Sequence, residues 1–325
     1  MAKWNLVESI NATLSQEMEL NDKIIVMGED VGVDGGVFRV TDGLLKKFGE
    51  NRVFDTPLAE SAIIGTAIGM AIYGLKPVTE VQFEGFIFPA YEQIVSHVAR
   101  IRNRSRGRYK CPIILRAPYG GGVRALEHHS EAPETLYAHV PGLTVVIPSG
   151  PHDAKGLLAN ALQSEDPVIF FEPKRIYRAF KEEVPEERYT IPFGQAKIVQ
   201  EGHDVTIVTY GAMVRVSMEA AELLKEKNIS CEIVDLRTIS PLDTETVISS
   251  VRKTGRCVVV HEAPRNLGVG AEVIARINEK ALLDLKAPVK RVTAYDVVTP
   301  LPKLEDFHFP NAEKVVKAVN YVMGF

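Results

Sequence analysis

Cysteine is scarce in this chain. Cys111, Cys231 and Cys257 are the only three in 325 residues and lie far apart. No C-x-x-C occurs, so neither a zinc knuckle nor a dithiol redox motif is suggested. With so few cysteines no disulfide framework is expected, which fits a reducing compartment. An excess of charge is lacking too: the net charge is −4, and the bulk balance argues for neither nucleic acid nor a membrane surface as partner. No apolar run is long enough to span a membrane. The most apolar window, Ala62 to Leu75, is about half to two-thirds of a span and reads as a buried helix. The opening MAKWNLVESINATL has no long apolar core and no small-residue cleavage site, so no signal peptide is expected and the expected compartment is the cytoplasm. Two phosphate-binding signatures are also missing. There is no G-x-G-x-x-G fingerprint, and no Gly-Asp-Gly of the kind that ties a diphosphate to a divalent metal. The glycines around Gly28-Glu29-Asp30-Val31-Gly32 and Gly35-Gly36 resemble a phosphate loop only loosely. Two acidic residues there would repel phosphate, which excludes nucleotide binding through that loop.

What remains is an ordinary soluble composition, 46% hydrophobic and 25% charged, at a length that suggests two domains with separate cores. Apolar runs of strand length alternate with segments of helical period. Lys23–Met27, Pro77–Val81, Pro112–Leu115, Thr144–Ile147 and Pro167–Phe171 read as strands. Tyr91, Ile94, Val95, Val98 and Ile101 recur at helical spacing. Such alternation argues an α/β fold, a parallel sheet with helices on both faces. Between 181 and 193 the chain turns charged, proline-marked and aperiodic, which places a linker there. Alternation then restarts. Asp204–Thr209, Cys231–Leu236, Arg256–Val260 and Val289–Val292 read as strands, Gly270–Leu282 as a helix, and Val214, Met218, Ala221 and Leu224 as one helix face. The expected division is a domain at 1–180, the linker at 181–193 and a smaller α/β domain at 194–325. No internal repeat or low-complexity segment is present.

Three groups of residues carry chemistry. Glu60 follows Asp55-Thr56-Pro57-Leu58-Ala59 and opens a segment notched by Gly65, Gly69 and Gly74. An acidic residue at a helix start is a favourable dipole partner by itself. Its apolar surroundings, however, suit a poorly solvated carboxylate to share a proton with a neutral nitrogen base. The glycines would let another backbone or a flat ligand come close, or serve tight helix packing. Second, His128 and His129 follow the flexible Tyr119-Gly120-Gly121-Gly122. They could titrate near neutrality, bind a metal, or make ordinary loop hydrogen bonds. Adjacent side chains point apart and no second His/Cys cluster exists to complete a metal site, so no metal ligand is assigned. Third, Arg100, Arg102, Arg104, Arg106 and Arg108 fall within nine residues. Without interleaved aromatics they are a weak nucleic-acid signal and read as a solvated face, an anion contact or a subunit contact.

Taken together, several stretches resemble one family. They are Gly28–Gly32, Gly36-Val37-Phe38, Arg52–Glu60, His129-Ser130, Asp153–Leu157 and Val234–Asp243. The chain resembles, from about its first ten residues to its end, the beta subunit of the first, thiamin-diphosphate-dependent and decarboxylating component of 2-oxo acid dehydrogenase complexes. The resemblance implies a pyrimidine-binding, transketolase-like domain followed by a transketolase C-terminal-like domain. It implies an α2β2 heterotetramer with thiamin diphosphate at the α–β interfaces. The missing Gly-Asp-Gly is then expected, because the alpha subunit would hold the diphosphate and Mg²⁺. By resemblance, Glu60 hydrogen-bonds N1′ of the aminopyrimidine and so promotes loss of the thiazolium C2 proton to the cofactor's own exocyclic nitrogen. Phe86 would lie against the pyrimidine, with Leu58 and Gln82 on the same side. His129 would act at the reacting centre and in acyl transfer, with His128 as an additional candidate. The acyl group would pass to lipoyl-lysine on the lipoyl domain of a dihydrolipoyl acyltransferase core, docked on the C-terminal domain.

For the 2-oxo acid, His129–Glu134 and Phe171–Arg178 look nearer to branched-chain members, such as those acting on 2-oxoisovalerate, than to pyruvate members. The chain departs from both at Thr299–Leu304, where an aromatic-proline-aromatic turn is common. The family also suggests a structural monovalent cation near Cys111–Leu115 and Ser164–Asp166, held by backbone carbonyls. The readings set against this one are a pyruvate dehydrogenase beta subunit proper, half of a split transketolase-like enzyme, and a non-catalytic scaffold subunit.

Overall fold

Short runs rich in valine and isoleucine cannot make long helices, but they suit strands covered on both faces. The computed structural model, which describes residues 1–325, has fourteen strands. In chain order they are β1 (Ala2–Trp4), β2 (Ile24–Gly28), β3 (Val53–Asp55), β4 (Lys76–Glu80), β5 (Ile114–Tyr119), β6 (Thr144–Val146), β7 (Val168–Pro173), β8 (Glu182–Val184), β9 (Lys197–Gln200), β10 (Val205–Thr209), β11 (Cys231–Asp235), β12 (Thr238–Ser240), β13 (Cys257–Pro264) and β14 (Lys290–Ala294). Seven form one sheet in the order β12-β6-β7-β5-β4-β2-β3, parallel except for β12. Five form a second sheet, β14-β13-β10-β11-β9, parallel except for β9. Every residue of β2, β5, β7, β10 and β11 is buried. Helices sheathe both sheets, which is the α/β architecture expected. No helix is long and apolar enough to cross a membrane.

Local signals set the helix limits. Asn5 caps the helix Leu6–Leu20 through a reciprocal box with Glu8, each side chain satisfying the other's backbone amide. Asp243 caps Thr244–Thr254, and Gly255 ends it in the left-handed conformation. The segment carrying Tyr91, Ile94 and Val98 is helical but wound wide, as a π-turn over Gln93–Val98.

Two features go beyond what the sequence signals, and two expectations need correction. The segment 181–193 is not without structure: β8 lies within it and pairs antiparallel with β1. The buried Lys155 ammonium fastens the next residues by donating to the carbonyls of Pro185 and Glu186. The second half also lends β12 to the edge of the first sheet, a strand of three residues too short to leave a periodic signal. Met218 is exposed rather than on the buried face, which Val214, Ser217, Ala221 and Leu224 form. The apolar helix Glu60–Ile72 is buried on one side only. Ala62, Thr66, Gly69 and Ile72 are exposed, and Tyr73 just beyond is 90% exposed.

The stretches Asp153–Leu157 and Val234–Asp243 meet where the two sheets join. Arg237 pairs with Asp153 at 2.8 Å, and Ser149 donates to Asp235. Burial, aided by the charge of Asp153, pushes the Asp235 carboxyl up to about 7.

At the heart of the first sheet is a buried ion cluster. Arg116 of β5 donates to Glu80 of β4 at 2.7 Å and to both oxygens of Glu172 of β7 at 2.7 and 2.9 Å. Tyr177 donates to the same Glu172 carboxylate at 2.7 Å. Burial opposes the charge on Arg116, but the two carboxylates outweigh it and hold the guanidinium above its usual range. Arg116→Met would strand two carboxylates without a counter-charge. The expected loss is about 3–5 kcal/mol, read as a lower urea midpoint of the full chain. A loss below about 1 kcal/mol would mean that apolar packing alone sets these strands.

Candidate active site at the carboxyl ends of four strands

In an open parallel sheet, ligands gather beyond the carboxyl ends of the strands, where helix-leading loops converge. The sequence-derived candidates fall there. Leu58 and Glu60 follow β3, Gln82 and Phe86 follow β4, and His128 and His129 follow β5. The loop after β2 completes the set with Glu29 and Asp30. These strands are neighbours in the order β5-β4-β2-β3, so loops up to a hundred residues apart in the chain rise side by side.

Each loop is held by specific bonds. Asp55 accepts from the backbone amides of Gly32 and Val33 at 2.6 and 3.1 Å. Gln82 donates to Asp30 at 2.8 Å, and Thr41 donates to the carbonyl of Val31 at 2.7 Å. The loop Gly28–Gly36 is thus spent on carboxylates, consistent with its exclusion as a phosphate cradle. Glu60 is the first residue of its helix and is 8% exposed. Glu29 is equally buried, one of its oxygens has no partner, and its pKa is raised, first by burial and then by the charge of Glu60. The charge of Glu60 is therefore felt at Glu29, which places the two carboxylates in one neighbourhood of the site. Glu29 was missed in the sequence, where it read only as a reason against phosphate. It follows β2 while Glu60 follows β3, so no local spacing in the sequence connects the two.

A small aromatic wall stands opposite. The ring of His129 packs edge-on against Phe83 and Phe86, with centroids 4.3 and 5.1 Å away. Its Nδ1 is buried without a partner. Burial, the Lys174 ammonium and then His128 lower the pKa of His129, which favours the neutral, proton-accepting ring. His128 is exposed, so the fold separates the two histidines that sequence left together. Phe83 was the other residue missed. Leu58 stands 79% exposed. Gly65, Gly69 and Gly74 have no close neighbour within the chain, so tight packing against its own helices is not their role here. The arginines from Arg100 to Arg108 are exposed, with Arg102 paired to Asp166 at 2.6 Å.

No three histidine, cysteine or carboxylate side chains converge as a metal site. At the expected monovalent-cation position, the Lys76 ammonium donates to the carbonyls of Leu162 and Ser164 at 2.6 and 2.9 Å. Of the carbonyls in the expected stretches, that of Ser164 is thus already met by a cation of the chain's own. A cavity of about 1100 Å³ lies elsewhere. It runs from Ser130, Glu131 and Leu136 to Glu262, Val297 and Phe309, and Glu60, Phe86 and His129 do not line it.

Comparison with known proteins gives a consistent picture. Residues 2–179 match the family described as transketolase, pyrimidine binding domain, and residues 194–315 match transketolase, C-terminal domain. The pyruvate dehydrogenase E1 component subunit beta of Acholeplasma laidlawii is 56% identical over 315 residues, 97% of this chain and 96% of that protein. The protein of the same name from Staphylococcus aureus (strain Mu50 / ATCC 700699) is 50% identical over the full length of both. Among solved structures, a chain described as a split gene transketolase, inactive beta4 tetramer, superposes with a TM-score of 0.81 over 99% of both chains at 24% identity. That last likeness is one of fold.

Burial beneath the His129 loop pushes three carboxyls up: Glu84 and Glu134 to about 7, and Glu262 to about 8. An acid raised in the folded state keeps its proton where the unfolded chain has already lost it, so its contribution to stability fades as pH climbs to the folded value. His261, lowered to about 4 by burial, acts in the opposite direction but only below its ordinary value. Between pH 6.5 and 8 the carboxyls therefore dominate. The urea midpoint of the full chain should fall across this range, and Glu262→Gln should flatten the slope. A midpoint that rises across it would contradict the assignment.

Proposed function

Because the chain belongs to the family of beta subunits of the first, decarboxylating component of 2-oxo acid dehydrogenase complexes, we propose that it supplies the acid–base half of a thiamin-diphosphate site that an alpha subunit completes. The family is one of oxidoreductases acting on 2-oxo acids. What carries the reading is Glu60, buried at a helix start and coupled to the orphaned carboxylate of Glu29. A scaffold has no use for two carboxylates poised in this way. The residues present fit the pyrimidine end of the cofactor: Glu60 would hold a ring nitrogen, and Leu58, Gln82 and Phe86 would border the ring. Nothing in the chain fits the diphosphate and Mg²⁺, which we assign to the alpha chain in an α2β2 assembly. The exposed apolar side of the helix Glu60–Ile72 supports that division, since it offers a partner a flat surface beside the carboxylate.

When bound, the cofactor supplies the electron sink for decarboxylation. The chain's own work is proton handling and exclusion of water. Glu60 would exchange a proton with the ring nitrogen, with Glu29 as a neighbouring carboxyl. Phe83 and Phe86 shield that end from solvent. His129, whose lowered pKa favours the neutral ring, would take or return a proton at the reacting centre and so assist acyl transfer to lipoyl-lysine on the acyltransferase core. As 2-oxo acid we propose pyruvate. The motif comparison leaned toward branched-chain acids, but relatives at 56% and 50% identity over nearly the whole chain carry the pyruvate name.

Two outcomes test this. Glu60→Gln in the assembled pair should cut decarboxylation by about a hundredfold or more while the complex still forms. Near-normal turnover would favour the scaffold reading. Decarboxylation of pyruvate and of 2-oxoisovalerate, measured with a dye acceptor, should require both this chain and its alpha partner and should favour pyruvate. A preference for 2-oxoisovalerate would restore the branched-chain assignment. Transfer to sugar-phosphate acceptors with none to lipoyl domain would favour the split transketolase.

A further inference from the structure

The loop that carries His129 does not hold itself in place. It begins with three glycines, Gly120 and Gly122 at φ +77° and +94°, a composition that by itself would be mobile. In the fold each glycine is pressed against another residue. A β-carbon on Gly120 would collide with the carboxylate of Glu262, one on Gly121 with the ring of Phe309, and one on Gly122 with the stem of Arg175. Glu262 and Phe309 come from the second half of the chain.

The hydrogen bonds agree. Apart from the local backbone turn that binds Leu126 and Glu127 to His129 and Ser130, residues 121–128 are tied to the rest of the chain by two side-chain bonds. Gly122 N–H donates to Glu305, and Arg124 donates to Asp306 at 2.8 Å. Glu305 is 2% exposed, and its other carboxylate oxygen is buried without a partner. Burying a carboxylate for a single amide bond is a poor way to gain stability. It is an effective way to fix one amide, because a charged acceptor makes the stronger bond. The far end of the loop is fixed too, since the His128 carbonyl lies directly over Gly85. The adjacent Glu84 is anchored to Lys174 at 2.6 Å. Held at both ends, the loop has little freedom in where it points His129.

We propose that Glu305 is a positioning residue: from the second half of the chain it pins the Gly122 amide, and through the glycine loop it sets His129 against Phe83 and Phe86. The catalytic part of this rests on the role given to His129 above. The structural part does not. Amide hydrogen exchange on the full chain tests the pin directly. Glu305→Ala should speed exchange across residues 120–130 by at least about tenfold, the worth of one charge-assisted bond. Glu305→Gln should largely restore protection, because its amide oxygen still accepts from Gly122. If the alanine variant does not fold, Glu305→Asp, whose carboxylate is withdrawn by one methylene, should loosen the same amides. Unchanged exchange, or a Gln variant no better protected than Ala, overturns the pin.

In the assembled pair, Glu305→Ala should slow acyl transfer to lipoyl domain more than decarboxylation, as His129→Ala should. In a His129→Ala background it should cost nothing further. Additive losses in the double variant overturn the coupling to His129. A His129→Ala variant with normal acyl transfer overturns the role of His129 itself, and the exchange data then judge the pin alone.

Discussion

The position of this site depends on one fully buried guanidinium. Arg116 joins three adjacent strands through Glu80 and Glu172, at the level where they end and the functional loops begin. Such a cluster contributes little net stability compared with apolar packing, since removing three charges from water is costly. Its effect is on register. A slip of β4 or β7 by one residue would point a carboxylate away and leave Arg116 unpaired. The loops bearing Gln82, Phe86 and His129 therefore leave the sheet at set heights, and Tyr177 extends the same network to Phe38 on the loop after β2.

Above this layer the fold divides labour between halves. The first sheet supplies the carboxylates and the aromatic wall. The second supplies an edge strand, a junction around Asp153 and Arg237, and the side chains that close on the glycine loop. The apparent flexibility of Gly120–Gly122 is better understood as clearance. Without side chains, the loop can lie flush against Glu262, Phe309 and Arg175, and its order comes from the surface it lies on.

The same logic supports the proposal that the chain supplies one half of a shared site. Acid–base residues gather on one face, with nothing nearby to bind a diphosphate. Glu60 heads a helix whose outer side is apolar and bare. Proton transfer through a ring nitrogen requires a poorly solvated carboxylate, and poor solvation is easiest to achieve at a surface that a partner will cover. In the proposed assembly, the exposed alanine, isoleucine and tyrosine side chains there would form an economical wall against the other subunit.

The sequence alone was enough for the α/β alternation, the order of the strands along the chain and the family, because buried parallel strands are short uninterrupted apolar runs and the motifs are contiguous. It also singled out Glu60 and His129, which sit inside those motifs, and Phe86 through the family resemblance. It could not show that Glu29 lies within reach of the charge of Glu60, that His129 rather than His128 packs on the aromatic pair, or that Glu305 reaches Gly122 across 183 residues. Nor could it show β8 and β12, whose three residues each carry no period. These are long-range contacts, set by which strands neighbour one another and by the register Arg116 enforces. Only the folded chain brings such residues within reach, so only the tertiary structure decides them.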